Sequence, residues 1–213
     1  MTRIYTANVA DTVMFRNLGK HPSPHLQSLK SAVEETGTEI WVPAAVYHEL
    51  TDTGSADSPT NPYLDMAIEE GWLRVAPPLP GNRTAGFDSS AGPVEKARFV
   101  ADEFLNQQSK YPETNNWQDA AVVALAVRLF DANARIRVIT HTADKNLAKA
   151  CARIPPEFGY YDIKSRYYNP PQTAKAEFPT IDQLSWTLLW RRLLVSHSTA
   201  SRILFRASSP GFR

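Results

Sequence analysis

Residues 117–144 have the sequence WQDAAVVALAVRLFDANARIRVITHTAD, in which an almost wholly apolar helix precedes an almost wholly apolar strand. Alanine and valine nearly encircle the predicted helix, 117–130, so we expect it to be buried on every side. The predicted strand, 136–140, is apolar enough for the middle of a parallel sheet, which is covered on both faces. Together they predict a helix packed on a central parallel sheet.

Predicted strands and helices alternate on either side of this stretch. Strands are predicted at 3–10, 39–42 and 72–75, and helices at 23–36, directly after Pro43, and at 63–70, 93–110 and 144–152. Loops rich in proline, glycine and small polar residues are predicted at 51–62 and 77–92. This alternation favours an α/β sandwich around a parallel sheet.

The pattern weakens after residue 154. We therefore predict a main domain at 1–155 and a C-terminal extension at 156–213, which carries one amphipathic helix at 184–195. Apolar residues make up 43% of the chain and charged residues 21%, which is ordinary for a globular protein. Cys151 is the only cysteine, which excludes an internal disulfide and a multi-cysteine zinc site. We see no signal peptide or membrane-spanning run, and we expect a cytoplasmic protein without membrane contact.

Four acidic residues are predicted to lie near the carboxyl ends of the strands, where functional sites of parallel sheets form. Asp11 ends the first predicted strand, and Asp144 follows the strand at 136–140. Glu49 lies in the helix after the second strand, and Asp119 lies in the first turn of the apolar helix. Because the carboxyl ends of parallel strands share one edge of the sheet, these four carboxylates can converge there.

Converging carboxylates repel one another, and like charges at a shared site raise the pKa of the groups. A divalent cation relieves this repulsion, and Mg²⁺ and Mn²⁺ prefer hard oxygen ligands and retain several waters. Such an ion lowers the pKa of a bound water, orients it for in-line attack and offsets charge on phosphate oxygens. The pattern therefore predicts a Mg²⁺ or Mn²⁺ site for phosphodiester hydrolysis, with 5′-phosphate and 3′-hydroxyl products.

The four acids lie in blocks that resemble the motifs of PIN-domain nucleases. The blocks are ADTVMF (10–15), VPAAVYHEL (42–50), DAAVVALA (119–126) and ITHTADKNL (139–147), in the family's order. Each block alone is weak evidence for the family, but the occurrence of all four in the family's order is fairly specific to it. The chain is similar over residues 4–152 to a family that includes the VapC toxins of toxin–antitoxin pairs and several RNA-processing nucleases.

This resemblance implies a PIN-like three-layer α/β/α sandwich with a central parallel sheet, and metal-dependent endonuclease activity, usually on RNA. It implies that the catalytic residues are Asp11, Asp119 and Asp144 as metal ligands, with Glu49 in support. It also favours an RNA substrate, an antitoxin protein as partner, and a homodimer or higher homo-oligomer. A nuclease of tRNA or rRNA maturation is the nearest alternative.

Positive charge is concentrated towards the C-terminal end. Residues 164–213 carry eight bases and two acids, a net charge of +6, so the remainder carries −5. An acidic body beside a basic tail suits an acidic metal site next to a surface that grips RNA. Candidate RNA contacts are Lys145, Arg191 and Arg192. A solvated or partner-binding tail explains the same charge equally well.

Val13 departs from the family's pattern, in which Asn or Ser often stands two residues after the first Asp. Thr12 is a candidate to supply a hydroxyl in place of that side chain. Thr140 and Thr142 are both candidates for the polar position that precedes the fourth acid, Asp144. The departure favours, mildly, a catalytically silent PIN-fold module that binds RNA or protein. It argues against a metal-dependent phosphatase, which needs a second Asp at that position.

Each acid also has a purely structural interpretation. Asp11 and Asp144 can simply cap helices, and Asp119 can favour a helix dipole. Glu49 can be an ordinary exposed residue of a helix. Two histidines lie beside these acids, and we expect both at the surface: His48 and His141.

Overall fold

A computed structural model describes residues 5–18, 24–36, 38–51, 62–109, 116–133 and 136–168. Five strands and seven α-helices lie in these ranges: β1 Tyr5–Ala10, α1 Thr12–Leu18, α2 Pro24–Thr36, β2 Ile40–Val42, α3 Ala44–Thr51, α4 Pro62–Glu69, β3 Leu73–Val75, α5 Pro93–Gln108, α6 Trp117–Ala132, β4 Ile136–Thr142, α7 Lys145–Glu157 and β5 Ile163–Tyr167. A short 3-10 turn, Arg83–Ala85, lies between β3 and α5. None of the described helices has the length and apolar character needed to cross a membrane.

The strands form one parallel sheet in the order β3-β2-β1-β4-β5. β1 lies at its centre, where it pairs with β2 through Asn8 and Ile40 and with β4 from Tyr5 opposite Ile136 onwards. Helices flank this sheet, as its apolar strands require, because a parallel sheet must be covered on both faces. The predicted PIN-like α/β/α sandwich is confirmed.

Helix α6 is the centre of the core, as its composition predicts. Residues 120–127 and Leu129 are all buried. The helix packs against α5, α7, β1 and β4. Alanine side chains allow close approach of neighbouring backbones, so a helix rich in alanine and valine can be enclosed on every side. The apolar stretch at 117–130 is therefore what joins the helical layer to the sheet.

Two elements run further than their sequence patterns indicate. β4 continues for two residues past the apolar run and brings His141 and Thr142 into the sheet, where both are fully buried. α7 continues through Pro155 and Pro156 to its end at Glu157. Proline removes a hydrogen-bond donor from a helix, but these prolines occupy its final turn. Burial of Ile154 and Pro155 offsets that loss.

The sheet continues beyond the predicted domain boundary at residue 155. β5 lies in the segment assigned to the extension, and it pairs in parallel with β4 from Val138 opposite Ile163 to Thr142 opposite Tyr167. Its sequence, IKSRY, carries one fully buried side chain, Ile163, because an edge strand is covered less than a central one. The predicted amphipathic helix at 184–195 lies outside the described residues.

The strand order creates a crevice between β1 and β4. After β1 the chain builds β2 and β3 on one side, and it later returns to build β4 and β5 on the other. In an open parallel sheet, functional sites form at the carboxyl ends of the strands where the order reverses in this way. Asp11 follows β1 directly, and Thr142 ends β4.

We predict that replacing Ile163 with alanine lowers the free energy of unfolding by about 3 kcal/mol, because it empties a buried site under the edge strand. Urea denaturation of the full chain measures this change. Lys164→Ala is the matched control, because its exposed side chain points away from the core, and it should alter stability by under about 0.5 kcal/mol. Equal effects of the two substitutions would show that β5 does not belong to the folded sheet.

Candidate functional site

The carboxylate of Asp11 lies at the carboxyl end of the central strand and is 0% exposed. Its backbone N–H donates to the carbonyl of His141 at 3.4 Å, which continues the pairing of β1 with β4. Oδ1 accepts from the backbone N–H of Met14 at 2.8 Å, at the start of α1, and Oδ2 accepts from the hydroxyl of Thr142. Hydrogen bonds from two elements, α1 and β4, therefore orient this side chain.

Thr142 connects the first acid to the fourth. Its hydroxyl donates to Asp11 and accepts from the backbone N–H of Asp144 at 2.8 Å. Asp144 in turn caps α7, because Oδ1 accepts from the N–H groups of Asn146 at 2.6 Å and Leu147 at 2.9 Å. Of the two threonines that compete in sequence, Thr142 contacts Asp11, whereas Thr140 donates to the carbonyl of Lys164.

Glu49 is also brought to this edge of the sheet. Its Oε2 accepts from the hydroxyl of Thr12 at 2.8 Å, and Thr12 follows Asp11 directly in the chain. Pro43 lies between the end of β2 at Val42 and the start of α3 at Ala44, the helix that carries Glu49. The hydroxyl of Thr12 therefore orients Glu49, while Val13 contributes no polar group at this point.

Burial and neighbouring acids together raise the pKa of Asp11 to about 7. Desolvation is the largest cause, and the negative charges of Asp119 and Asp144 add to it, against the hydrogen bonds from Thr142 and Met14. The pKa of the buried Cys151 thiol rises to about 12, chiefly through burial and in part through the same three carboxylates. Asp119 and Asp144 are thus close enough to Asp11 for their charges to act on its carboxylate.

The described acids do not form a complete set of metal ligands by themselves. Within the described ranges, no three His, Cys, Asp or Glu side chains are grouped so that together they could hold a metal. Mg²⁺ does not need such a complete set, because it is usually held by one or two carboxylates and keeps several waters. A buried carboxylate with two acidic neighbours fits that manner of binding, and the donor set contains the hard oxygens that Mg²⁺ and Mn²⁺ prefer.

His141 is buried, so the prediction that it lies at the surface is wrong. Asn8 donates through Nδ2 to Thr38 at 2.9 Å, which leaves Oδ1 to accept from His141 Nε2 at 2.9 Å. The other ring nitrogen, Nδ1, therefore accepts from the hydroxyl of Tyr168 at 3.0 Å. Burial lowers the pKa of His141 to about 3, so the ring is neutral.

This network ties β4 to β1 directly beside Asp11. The sequence carried a signal for it, because Asn8 and His141 are polar residues within or next to otherwise apolar strands. Polar groups in such places are usually paired, since an unpaired one costs free energy on burial. His48, by contrast, is exposed as predicted.

The remaining predicted contacts fall into two groups. Lys145 is exposed at the first position of α7, next to Asp144. Arg191 and Arg192 lie outside the described residues, so their role stays a prediction.

Comparison with known proteins identifies the family. The family model described as the halobacterial PIN domain matches residues 5–172, which include all five strands and the four acids. No curated protein matches the chain. PIN domains are generally metal-dependent nucleases, and the parallel sheet is of this nuclease type. With the match covering more than half of its length, the chain belongs to the PIN-domain family.

Proposed function

We propose that the protein is a Mg²⁺- or Mn²⁺-dependent endoribonuclease in which Asp11, Asp119 and Asp144 hold the metal and Glu49 supports the site. The observation that carries this proposal is the carboxylate of Asp11, which is fully buried at the end of the central strand and has two acidic neighbours. A buried charge without a countercharge opposes folding, so a site of this kind needs a strong reason to persist.

Binding of a divalent ion would compensate for the free-energy cost of this buried charge. The neutral hydrogen-bond donors to Asp11, the Met14 N–H and the Thr142 hydroxyl, orient the carboxylate but cannot neutralise it. A divalent ion removes the repulsion among the three carboxylates and, when bound, supplies Lewis acidity towards a phosphodiester. The same preorganised arrangement avoids the free-energy cost of assembling the acids during the reaction.

The side chains around the acids have distinct parts in this proposal. Thr142 and the α7 cap fix Asp11 and Asp144 relative to each other. Thr12 holds Glu49 so that its carboxylate can orient a water molecule for attack on phosphorus. Lys145 is exposed beside Asp144, and in this proposal it would contact a phosphate of the RNA backbone.

We predict that Asp119→Asn reduces RNA cleavage in Mn²⁺ by on the order of a hundredfold or more, because it removes one of the three carboxylates that would hold the ion. Cleavage of mixed single-stranded and structured RNAs, with and without EDTA, measures the effect. Asp131→Asn is the matched control, an exposed acid near the other end of the same helix, and it should leave the rate unchanged. Wild-type protein that cuts no RNA in Mn²⁺ would instead indicate a catalytically silent binding module.

We predict that Asp11→Asn stabilises the metal-free protein at pH 8 by about 1 to 2 kcal/mol. The pKa of Asp11 is higher in the folded chain than its ordinary 3.8, so ionisation above that value opposes folding. Thermal unfolding in EDTA measures the difference. Added Mn²⁺ should raise the midpoint temperature of thermal unfolding of the wild type by several degrees and leave that of the variant unchanged. A wild-type midpoint that does not respond to Mn²⁺ would contradict metal binding at this site.

We further propose that the biological role is that of a toxin held in check by an antitoxin protein, as the resemblance to VapC toxins suggests. We predict that expression of the wild-type chain alone arrests bacterial growth through RNA cleavage, whereas expression of Asp119→Asn does not. Growth curves with matched protein levels measure this. Unimpaired growth with active wild-type enzyme would favour a nuclease of tRNA or rRNA maturation instead.

A further inference from the structure

The last residue of strand β4, Thr142, lies one position beyond the pairing of β4 with β1. The register of that pair ends with Ala10 opposite His141, whereas the pairing of β4 with β5 continues to Thr142 opposite Tyr167. At Thr142 the sheet pairing is therefore with β5 alone. The residue that follows β5, Tyr168, lies next to this strand end.

The hydroxyl of Thr142 lies between two of the proposed metal ligands. It donates to the carboxylate of Asp11, and it accepts from the backbone N–H of Asp144 at 2.8 Å. A hydrogen bond weakens steeply when its distance or angle departs from the favoured range. A shift of the Thr142 backbone would therefore loosen both ligands at once, so the position of the end of β4 determines how well they are held.

Tyr168 holds this end of β4 at two points. Its backbone N–H donates to the carbonyl of Thr142 at 3.0 Å. Its hydroxyl donates to Nδ1 of His141 at 3.0 Å, and the two rings are nearly parallel, with an angle of 7° and centroids 5.7 Å apart. One partly buried residue thus contacts two consecutive residues of the strand.

The ring of His141 passes this restraint on to β1. The ring is 0% exposed, and its Nε2 donates to Oδ1 of Asn8 at 2.9 Å. Because both ring nitrogens are hydrogen-bonded, the ring cannot turn without leaving a buried polar atom unpaired, which costs free energy. The hydroxyl of Tyr168 is therefore what fixes the side of the ring that faces away from β1.

We propose that Tyr168 is a positioning residue of the metal site. It holds the end of β4 so that the hydroxyl of Thr142 keeps Asp11 and Asp144 in the arrangement that binds the ion. The inference rests on the metal site of the proposed function. Loss of a hydrogen bond that orients a metal ligand from behind commonly weakens metal binding about tenfold or more. The chain after residue 155 thus contributes to metal binding through β4.

A purely structural role for Tyr168 leads to a different expectation. Loss of its hydroxyl leaves Nδ1 of His141 unpaired and lowers the stability of the protein under either role. Only the positioning role also lowers the affinity of the folded protein for Mn²⁺. Metal affinity measured well below the midpoint temperature of unfolding therefore separates the two roles.

Tyr168→Phe in the full chain tests the inference, because it removes the hydroxyl and keeps the ring and the backbone N–H. Mn²⁺ binding is measured without RNA by electron paramagnetic resonance of the free ion. We expect the dissociation constant for Mn²⁺ to rise about tenfold. Tyr161→Phe is the matched control, since it makes the same chemical change at a tyrosine that is 69% exposed, and it should change neither metal affinity nor stability.

Leu73→Ala is a second control, for stability. This side chain is fully buried in β3, at the opposite edge of the sheet from β5. The substitution should lower the midpoint temperature of unfolding at least as far as Tyr168→Phe does, and it should leave the dissociation constant for Mn²⁺ unchanged. Equal losses of Mn²⁺ affinity in the two variants would show that affinity merely follows stability, and would overturn the inference.

His141→Leu tests the path by which the hydroxyl acts. It removes the ring that Tyr168 holds, and it should weaken Mn²⁺ binding at least as much as Tyr168→Phe. The double variant should bind Mn²⁺ no more weakly than His141→Leu alone, because the two substitutions break one connection. Fully additive effects would contradict the proposed path. Tyr168→Phe alone decides the inference if His141→Leu does not fold.

An unchanged dissociation constant for Mn²⁺ in Tyr168→Phe would overturn the inference, even where the midpoint temperature falls. The nuclease is judged separately, by cleavage of RNA by the wild-type chain in Mn²⁺. Cleavage by the wild type with unchanged Mn²⁺ affinity in Tyr168→Phe rejects only this inference. Weakened Mn²⁺ binding in the variant, without cleavage by the wild type, rejects only the nuclease. A wild type that binds no Mn²⁺ rejects both.

Discussion

The structure depends on one buried negative charge. Asp11 ends the central strand and is withdrawn from water, at the point where the strand order reverses. Transfer of a carboxylate into such an environment is unfavourable unless hydrogen bonds and a countercharge compensate for it. The hydrogen bonds come from Met14 and Thr142, and both donors are neutral. The charged side chains that raise the pKa of this carboxylate are those of the acids Asp119 and Asp144, and this is the observation behind the proposed cation.

That constraint organises the elements around the site. At the start of α1 the backbone N–H of Met14 donates to Asp11, and at the start of α7 two backbone N–H groups donate to Asp144. Carboxylates at the starts of helices are favoured by the helix dipole and by the unpaired donors there. Both acids can therefore serve as caps and still present charge to the same crevice. The structural and the functional interpretations of these residues are compatible rather than exclusive.

Polar groups buried near the crevice secure its walls. The chain of hydrogen bonds from Thr38 through Asn8 and His141 to Tyr168 crosses the sheet, and each member has a partner. Satisfied networks of this kind rigidify a core, because breaking any one bond leaves a buried group unpaired. Asp11, the first of the proposed metal ligands, is joined to the same strand pair through its own backbone hydrogen bond to His141. The crevice is thus held in register on both sides of β1.

A large part of the fold could be predicted from hydrophobic pattern. The apolar helix and strand at 117–140, the alternation of strands with helices and the positions of the four acids are local properties of sequence, and the structure bears out the parallel α/β architecture. β5 was not predicted, because an edge strand with one buried residue leaves little pattern. The burial of His141 was also missed: its place next to an apolar strand was a signal, but its partners lie 27 and 133 residues away in the chain.

The sequence by itself determined the class of fold, the acids and the chemistry that such acids favour, because periodicity and residue type are carried by neighbours in the chain. Only the tertiary structure decided which threonine contacts Asp11, that Thr12 orients Glu49, and how deeply the first acid is buried. Those contacts depend on strand order and register, which bring together residues 37 and 131 positions apart in the chain. The free energy of such contacts depends on what surrounds them, and no local pattern of residues records that.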